Sequence, residues 1–195
     1  MNKGSKLNGK DLVSIGIYTA IYCVVMMIAS FTGFIPIFIP LLAVICPIIS
    51  GVVFMLFISK VKTFGMVTIM GVLIGLFMWV TGMGLYVVGV ATLSGFLADL
   101  IMKSGNYASV RKSIIAHGVF CIWVAGNMLP FYIGREKYLE AMVDVYHQEY
   151  VDTLAGIMTN ALLPVLIVSC VVCGIIGGII GAKMCKKHFS RAGIM

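Results

Sequence analysis

Two amides and several aromatic side chains are the residues in this sequence that could bind a small molecule. Asn127 and Asn160 lie in apolar segments, and an amide in such a segment needs hydrogen-bond partners. The aromatic residues expected at the same depth are Trp79, Tyr86, Trp123 and Tyr132. Rings supply stacking area and amides fix orientation, so these six residues are the predicted substrate site for a small, flat, polar ligand. Each ring taken alone is more typical of an interfacial aromatic belt.

Catalytic chemistry has few candidates. Asp99 and His117 are the ionisable residues nearest to the interior of an apolar segment, and they are the closest approach to a catalytic pair. Asp99 also precedes Lys103 by four residues, a spacing that favours a local acid–base pair on a helix.

Metal and nucleotide binding are not expected. His117, His147 and His188 lie in three different parts of the chain and have no carboxylate at ligand spacing. Residues 4–11 resemble a phosphate-binding loop, but Asp11 stands where a magnesium-binding Ser or Thr is required. The sequence therefore predicts no metal, no cofactor and no ATPase in this chain.

The composition indicates which elements must position these residues. Apolar residues make up 61% of the 195 residues and charged residues 11%, against about 45–50% and 25% in soluble domains. This composition argues against a disordered chain, a coiled coil and a nucleic-acid-binding domain. We expect an all-α membrane protein, a bundle of six transmembrane helices in a single domain. The predicted spans are residues 12–31, 41–59, 64–81, 86–102, 113–133 and 154–182.

Two boundaries need comment. The third and fourth apolar runs almost merge, and the glycines of residues 81–84 predict a tight turn between them. The first run follows a basic leader, as a signal peptide would, but its 20 uncharged residues exceed the usual apolar core of about 7–15 residues. A retained first helix is therefore predicted.

The charged residues predict the orientation. With six spans, one side of the membrane carries 12 of the 14 Lys and Arg residues, and by the positive-inside rule both termini are cytoplasmic. These twelve are Lys3, Lys6, Lys10, Lys60, Lys62, Lys103, Arg111, Lys112, Lys183, Lys186, Lys187 and Arg191. The net charge of +7 is thus an orientation signal, and no nucleic-acid partner is needed to explain it.

The opposite, outer side has one polar segment, residues 134–152. Its apolar residues have helical spacing, which predicts a short amphipathic helix over the outer mouth of the bundle. They are Leu139, Met142, Val143, Tyr146 and Tyr150. Whether this helix gates the site or only covers the interface is left open. Residues 34–47 contain three prolines and no charge, and are predicted to be an apolar, kinked outer connection.

Small residues at four-residue spacing predict close helix packing. The last span carries Gly174, Gly177, Gly178 and Gly181, the third Gly71 and Gly75, and the fourth Ala91 and Gly95. For these we expect packing within the bundle. The pair Gly16 and Ala20 of the first span lies near the cytoplasmic end, where a partner could dock.

Length, six spans, cytoplasmic termini and the Gly16–Ala20 pair together resemble the substrate-binding S component of energy-coupling-factor (ECF) importers. The chain is most similar to the Trep_Strep branch of that group. The similarity runs from Gly9-Lys10-Asp11-Leu12 through residues 126–130 (GNMLP) to the glycine-rich last helix.

The resemblance implies a function and partners. An S component captures a vitamin-like micronutrient outside the cell and works with a transmembrane T subunit and two cytoplasmic ATPases. Gly16 and Ala20 would correspond to the small residues through which the first helix docks on the T subunit. The start of the chain lacks the early histidine of nickel and cobalt relatives, which argues against a metal cargo.

Three functions stay open at this point. The first is the S component, a multi-pass protein of the cell membrane without catalysis. The second is a small membrane enzyme that acts on a lipid or isoprenoid, for which His117 and Asp99 are the nearest polar cluster. The third is a stand-alone facilitator. The substrate cannot be named from the sequence.

Overall fold

A computed structural model describes residues 7–60 and 62–189, and all regular elements in these ranges are helical. Lys3, Lys6, Arg191 and the side chain of His188 lie outside this description. The α-helices are α1 (Gly9–Ser30), α2 (Leu42–Lys60), α3 (Met66–Met78), α4 (Tyr86–Ser104), α5 (Val110–Phe120), α6 (Ile122–Gly126), α7 (Arg135–Val143), α8 (Gln148–Ile157) and α9 (Leu162–Met184).

Five helical segments of the described chain are long and apolar enough to cross a membrane. They are Gly9–Phe34, Leu42–Lys60, Met66–Met83, Tyr86–Ser104 and Leu162–Lys187. The predicted fifth span, 113–133, is divided instead: α5 ends at Phe120, the short α6 follows Cys121, and a 3-10 turn covers Leu129–Phe131. Pro130 lies in that turn, and a proline removes a backbone donor that a continuing helix would need.

The other predicted boundaries shift for similar reasons. Leu154, predicted to begin the last span, belongs to α8, and α9 begins only at Leu162. Pro164 then lies in the first turn of α9, where a missing N–H costs no helical hydrogen bond. The connection predicted over residues 34–47 is shorter, because α2 already starts at Leu42 and includes Pro47.

The chain enters α1 through a capping box. The Asn8 side chain accepts a hydrogen bond from the Asp11 backbone N–H at 2.9 Å, and the Asp11 carboxylate accepts one from the Asn8 N–H at 3.1 Å. Asp11, the residue that breaks the phosphate-loop pattern, thus caps a helix.

The chain reverses between α3 and α4 at glycines. The turn predicted at residues 81–84 is confirmed, with φ of +95° at Gly82 and +82° at Gly84.

Glycine faces bring the helices into backbone contact. A Cβ added to Gly177 of α9 would meet the Pro47 carbonyl and lie 2.9 Å from the Cα of Ile48, both in α2. On the α5 side, a Cβ at Gly174 would lie 2.8 Å from the Cα of Gly118. α9 therefore packs backbone to backbone against α2 and α5, and no side chain larger than hydrogen fits at these points.

The α3–α4 pair uses the same device. A Cβ at Gly75 would lie 2.7 Å from the Cα of Val88, and one at Gly95 would lie 2.8 Å from the carbonyl oxygen of Val67. The packing role predicted for the small residues of the third, fourth and last spans is therefore confirmed. Gly16 differs, since a Cβ there would meet nothing within 4 Å.

The contacts also give the relative directions of the helices. Gly118 and Ile114 of α5 approach Gly174 and Gly178 of α9 respectively, so these two helices run antiparallel. In contrast, α2 and α9 run parallel. Pro47 of α2 meets Gly177 of α9, and Met55, which lies further along α2, meets Gly181, which lies further along α9.

Alanine at Gly177 tests the backbone contact. The added methyl group would push against the α2 backbone, and Gly177→Ala is expected to cost about 1–3 kcal/mol of stability, as overpacking does. Thermal unfolding in detergent measures it. Gly89→Ala is the matched control, because a Cβ at the exposed Gly89 of α4 meets nothing within 4 Å. Equal unfolding temperatures for the two variants would contradict the packing.

Candidate substrate-binding cavity

A cavity of about 560 Å³ lies at one end of the bundle, where α1 ends, α2 begins and α7 and α8 pack across the helix ends. We call this the covered end. The cavity is lined by Met26, Met27, Ser30, Phe31, Gly33, Phe34, Ile39, Leu42, Cys46, Phe77, Met78, Thr81, Gly82, Met83, Trp123, Val124, Asn127, Met128, Phe131, Tyr138, Ala141, Met142, Val145, Tyr146 and Tyr150. Its volume is in the usual range of small-molecule sites.

The structure brings two of the six predicted site residues to this cavity, Trp123 and Asn127. Both come from the segment that interrupts the fifth span, α6 and the residue that follows it. The break in the fifth span therefore matters for the site, because α6 and Asn127, which follow the break, form part of the cavity wall.

The other four predicted residues do not line the cavity. Trp79 and Tyr86 are 49% and 48% exposed on the outer surface of the bundle, as belt residues would be. Asn160 is exposed in the link between α8 and α9, so its amide is not forced to find a protein partner. Tyr132 points its hydroxyl at the sulfur of Met158, at 3.8 Å, and so packs against the end of α8.

Trp123 forms a rigid wall. It is 2% exposed, and its indole N–H donates to the Tyr22 hydroxyl of α1 at 3.1 Å. The two ring centroids are 6.1 Å apart, and Tyr22 also meets the ring of Phe120 edge-on at 6.0 Å. Hydrogen bonding and ring packing together fix this side chain before any ligand is bound.

Asn127 differs from Trp123 in having a free acceptor. Its Oδ1 atom is buried and accepts no hydrogen bond within the described part of the chain. A buried amide oxygen without a partner is costly, and such a group in a cavity is a common feature of a ligand site.

The cover over the cavity consists of two helices where the sequence predicted one. α7 ends at Val143 and α8 begins at Gln148, with His147 in an extended conformation between them. Of the predicted stripe, Met142, Tyr146 and Tyr150 line the cavity and Leu139 packs against the core, whereas Val143 is 36% exposed. Tyr138, which the stripe did not include, also lines the cavity. The predicted apolar stripe is therefore largely correct in direction, and the single helix is wrong.

Arg135 holds the two halves of the cover together. Its guanidinium donates to the carbonyl oxygens of Phe131 at 3.1 Å, Met158 at 2.5 Å and Ala155 at 2.6 Å. The last two are at the carboxyl end of α8, where a helix has free carbonyls and favours a positive charge. In the sequence, Arg135 is one of the two basic residues outside the predicted cytoplasmic set of twelve, and no local spacing indicates this contact.

Tyr150 connects the cover to the rest of the bundle. Its hydroxyl donates to the Gly33 carbonyl oxygen at 2.5 Å, in the turn that follows α1, and its ring stacks on Tyr146 at 4.6 Å. Burial, followed by the nearby Tyr146 and Tyr138, raises the pKa of Tyr150 to about 12. The phenol therefore stays protonated throughout the neutral pH range and can donate its hydrogen bond to Gly33 at any pH in that range.

His117 and Asp99, the candidate catalytic pair, each have structural partners. His117 is fully buried between α2, α5 and α9, with Nδ1 2.6 Å from the Gly174 carbonyl oxygen and Nε2 3.2 Å from Ser50 Oγ. Asp99 accepts hydrogen bonds from the Thr68 backbone N–H at 2.8 Å and hydroxyl at 2.5 Å. It thereby caps the start of α3, where a helix has free N–H groups.

The local Asp99–Lys103 pair predicted from spacing is replaced by this cap. The ammonium group of Lys103 lies 5.0 Å from the centre of the Phe64 ring, a cation–π arrangement. Asp99 of α4 bonds to α3 and not to Lys103 because the glycine faces bring the start of α3 beside the end of α4.

Apolar helices long enough to span a bilayer, with a cavity at one end of the bundle, define a multi-pass integral membrane protein. A family model described as "hypothetical bacterial integral membrane protein (Trep_Strep)" matches residues 9–191, so the chain belongs to the Trep_Strep family. The branch predicted from the sequence is thus confirmed. Searches of curated proteins and of solved structures gave no match.

Removing the Asp99 carboxylate tests the cap. Asp99→Ala is expected to lose about 1–2 kcal/mol of stability, as other N-cap deletions do, because the α3 N–H groups lose their acceptor. Lys103→Ala is expected to change thermal unfolding little. A similar loss of stability in both variants would contradict the cap and support the Asp99–Lys103 ion pair instead.

Removing the Tyr150 hydroxyl tests the tether. Tyr150→Phe is expected to speed backbone hydrogen exchange in α8, since a hydrogen bond worth about 0.5–1.5 kcal/mol is lost. With its pKa raised to about 12, the wild-type phenol stays protonated, so the difference should persist from about pH 6 to 9. Tyr146→Phe is the control, because it keeps the Tyr150–Gly33 bond. Unchanged exchange in Tyr150→Phe would rule the tether out.

Proposed function

We propose that this protein is the substrate-binding S component of an ECF-type importer, with a transmembrane T subunit and two cytoplasmic ATPases as partners. The observation that supports it most is the cavity under the α7–α8 cover, whose lining residue Asn127 has a buried Oδ1 without a partner among residues 7–60 and 62–189. Such a cavity in a membrane bundle suits capture of a vitamin-like micronutrient at the outer face and its delivery inward.

The packing supports the topology that this function requires. α5 and α6 continue along α9 in one antiparallel register, from Ile114 beside Gly178 to the Ala125 backbone beside Cys170. We infer that these two short helices together make the fifth crossing along the chain, which brings the total to six and puts both ends of the bundle's chain on the same side. The twelve basic residues of that side make it the cytoplasmic one. The covered end then faces outward.

The first helix offers a surface for the T subunit. Gly16 and Ala20 are exposed, and the helix also exposes Leu12, Val13 and Ile17 along the same half. The small-residue faces of α3, α4 and α9 pack against other helices inside the bundle, whereas this small pair is left without a partner helix. Together with the family resemblance, this supports docking through α1.

The alternative functions receive less support. A membrane enzyme would need a free polar cluster, but His117 bonds to Gly174 and Ser50 while Asp99 caps α3. A stand-alone facilitator differs from an S component in working without ATPases, and transport into liposomes by the purified chain alone would establish it.

Leucine at Gly16 or Ala20 tests the docking surface. Either variant, co-expressed with a T subunit and the two ATPases, is expected to lose co-purification, since a bulky side chain would separate the two helix backbones. Unfolding temperature should stay close to wild type, because a Cβ at Gly16 meets nothing within 4 Å.

Gly89→Leu is the matched control for this experiment. It places the same side chain on an exposed glycine of α4 that also has open space around it. The control should retain the partners. Full co-purification of the Gly16→Leu and Ala20→Leu variants would refute docking through this surface.

A further inference from the structure

Four side-chain hydrogen-bond donors of the cavity lining are already used within the protein. Ser30 Oγ donates to the Met27 carbonyl and Thr81 Oγ1 to the Met78 carbonyl, both at 2.8 Å. The Trp123 indole and the Tyr150 hydroxyl donate to Tyr22 and Gly33. The lining residue Asn127 has a buried acceptor, Oδ1, that has no hydrogen-bond partner among the described residues. A ligand that satisfies this acceptor must bring a donor.

The cavity offers no partner for a charge. None of the described residues that line it is Lys, Arg, His, Asp or Glu. Arg135, the charged residue that joins the halves of the cover, gives its N–H groups to the carbonyls of Phe131, Ala155 and Met158. A charged ligand would lose its hydration without gaining an ion pair, which disfavours binding strongly.

The rest of the lining favours a flat apolar molecule. Six methionines line the cavity, and their flexible thioethers adapt to the outline of a ligand and contact ring edges well. They are Met26, Met27, Met78, Met83, Met128 and Met142. Fixed aromatic surfaces stand beside them, with Trp123 held by Tyr22, and Phe131 packed edge-on against Tyr138 at 4.9 Å.

We propose that the cavity binds an uncharged, largely apolar molecule with a planar ring system that donates one hydrogen bond to Oδ1 of Asn127. This rests on the proposed function and names its substrate class. It narrows the ligand predicted from the sequence, because the lining favours an apolar body with one polar edge over a generally polar ligand.

Three probes with one aromatic frame test the proposal. N-phenyl-1-naphthylamine is uncharged and has one N–H donor. Its N-methyl derivative lacks that donor, and 8-anilino-1-naphthalenesulfonate adds a negative charge. In a Trp79→Phe variant, Trp123 is the remaining tryptophan of the two in the chain, so energy transfer from Trp123 reports binding in the cavity. The protein is held in phosphatidylcholine nanodiscs, and the part of the energy transfer that does not saturate gives the contribution of probe dissolved in the membrane.

We expect saturable, one-site energy transfer with the N–H probe. The N-methyl derivative should bind about tenfold more weakly, because Asn127 Oδ1 would again be left without a donor. The sulfonate should bind at least tenfold more weakly than the N–H probe, because its charge has no partner in the cavity. These comparisons vary only the probe within the Trp79→Phe background, so they stand even where an Asn127 variant fails to fold.

Asn127→Leu tests the same hydrogen bond from the side of the protein. This variant is expected to weaken binding of the N–H probe about tenfold and to leave binding of the N-methyl derivative nearly unchanged. Gln148→Leu is the control, since it removes an exposed amide of α8 that does not line the cavity. It should bind all three probes as the Trp79→Phe background does.

Three results would overturn the proposal: no saturable binding of the N–H probe, equal or tighter binding of the sulfonate, or no preference for the N–H probe over its N-methyl derivative. None of these measurements involves a T subunit or an ATPase. A failure here therefore refutes the ligand class, while loss of the proposed function would show as a wild-type chain that never co-purifies with those partners.

Discussion

Backbone contact between glycine-bearing helix faces is the constraint on which the rest of this structure depends. In a bilayer, lipid tails are as apolar as leucine, so helices associate through close packing and not through the hydrophobic effect. Gly174, Gly177 and Gly181 place α9 against both α5 and α2, and Gly71, Gly75 and Gly95 join α3 to α4. These contacts fix the register of the helices, and the register decides which side chains meet.

The polar groups inside the bundle follow from that register. His117 reaches the Gly174 carbonyl because α5 and α9 touch at Gly118 and Gly174. Asp99 reaches Thr68 because α3 and α4 touch along their small residues. Both ionisable side chains thus satisfy backbone or side-chain groups of a neighbouring helix, which is the usual way that a membrane interior accommodates them. Asn127, in the cavity lining, is the contrast, since its buried Oδ1 has no partner in the part of the chain that the structure describes.

The cavity depends on the elements that break the regular pattern. Pro130 and the turn around it end the fifth apolar segment early, and this places Trp123 and Asn127 in the wall. The cover is a separate helical hairpin, joined to itself by Arg135 and to the turn after α1 by Tyr150. Few hydrogen bonds of this kind connect it to the bundle, so it is the part of the site that could move without disturbing the glycine contacts.

The sequence by itself determined the class of protein, the apolar segments, the α3–α4 turn and the small-residue faces. Composition and local spacing encode these, because a bilayer demands long apolar helices and close packing demands small residues. Only the tertiary structure decided which rings and amides share a cavity. Trp79, Tyr86 and Asn160 are exposed, while Tyr138 and six methionines line the site. Depth along a helix can be read from the chain, but the direction in which a side chain points depends on helix rotation, which contacts between distant residues set.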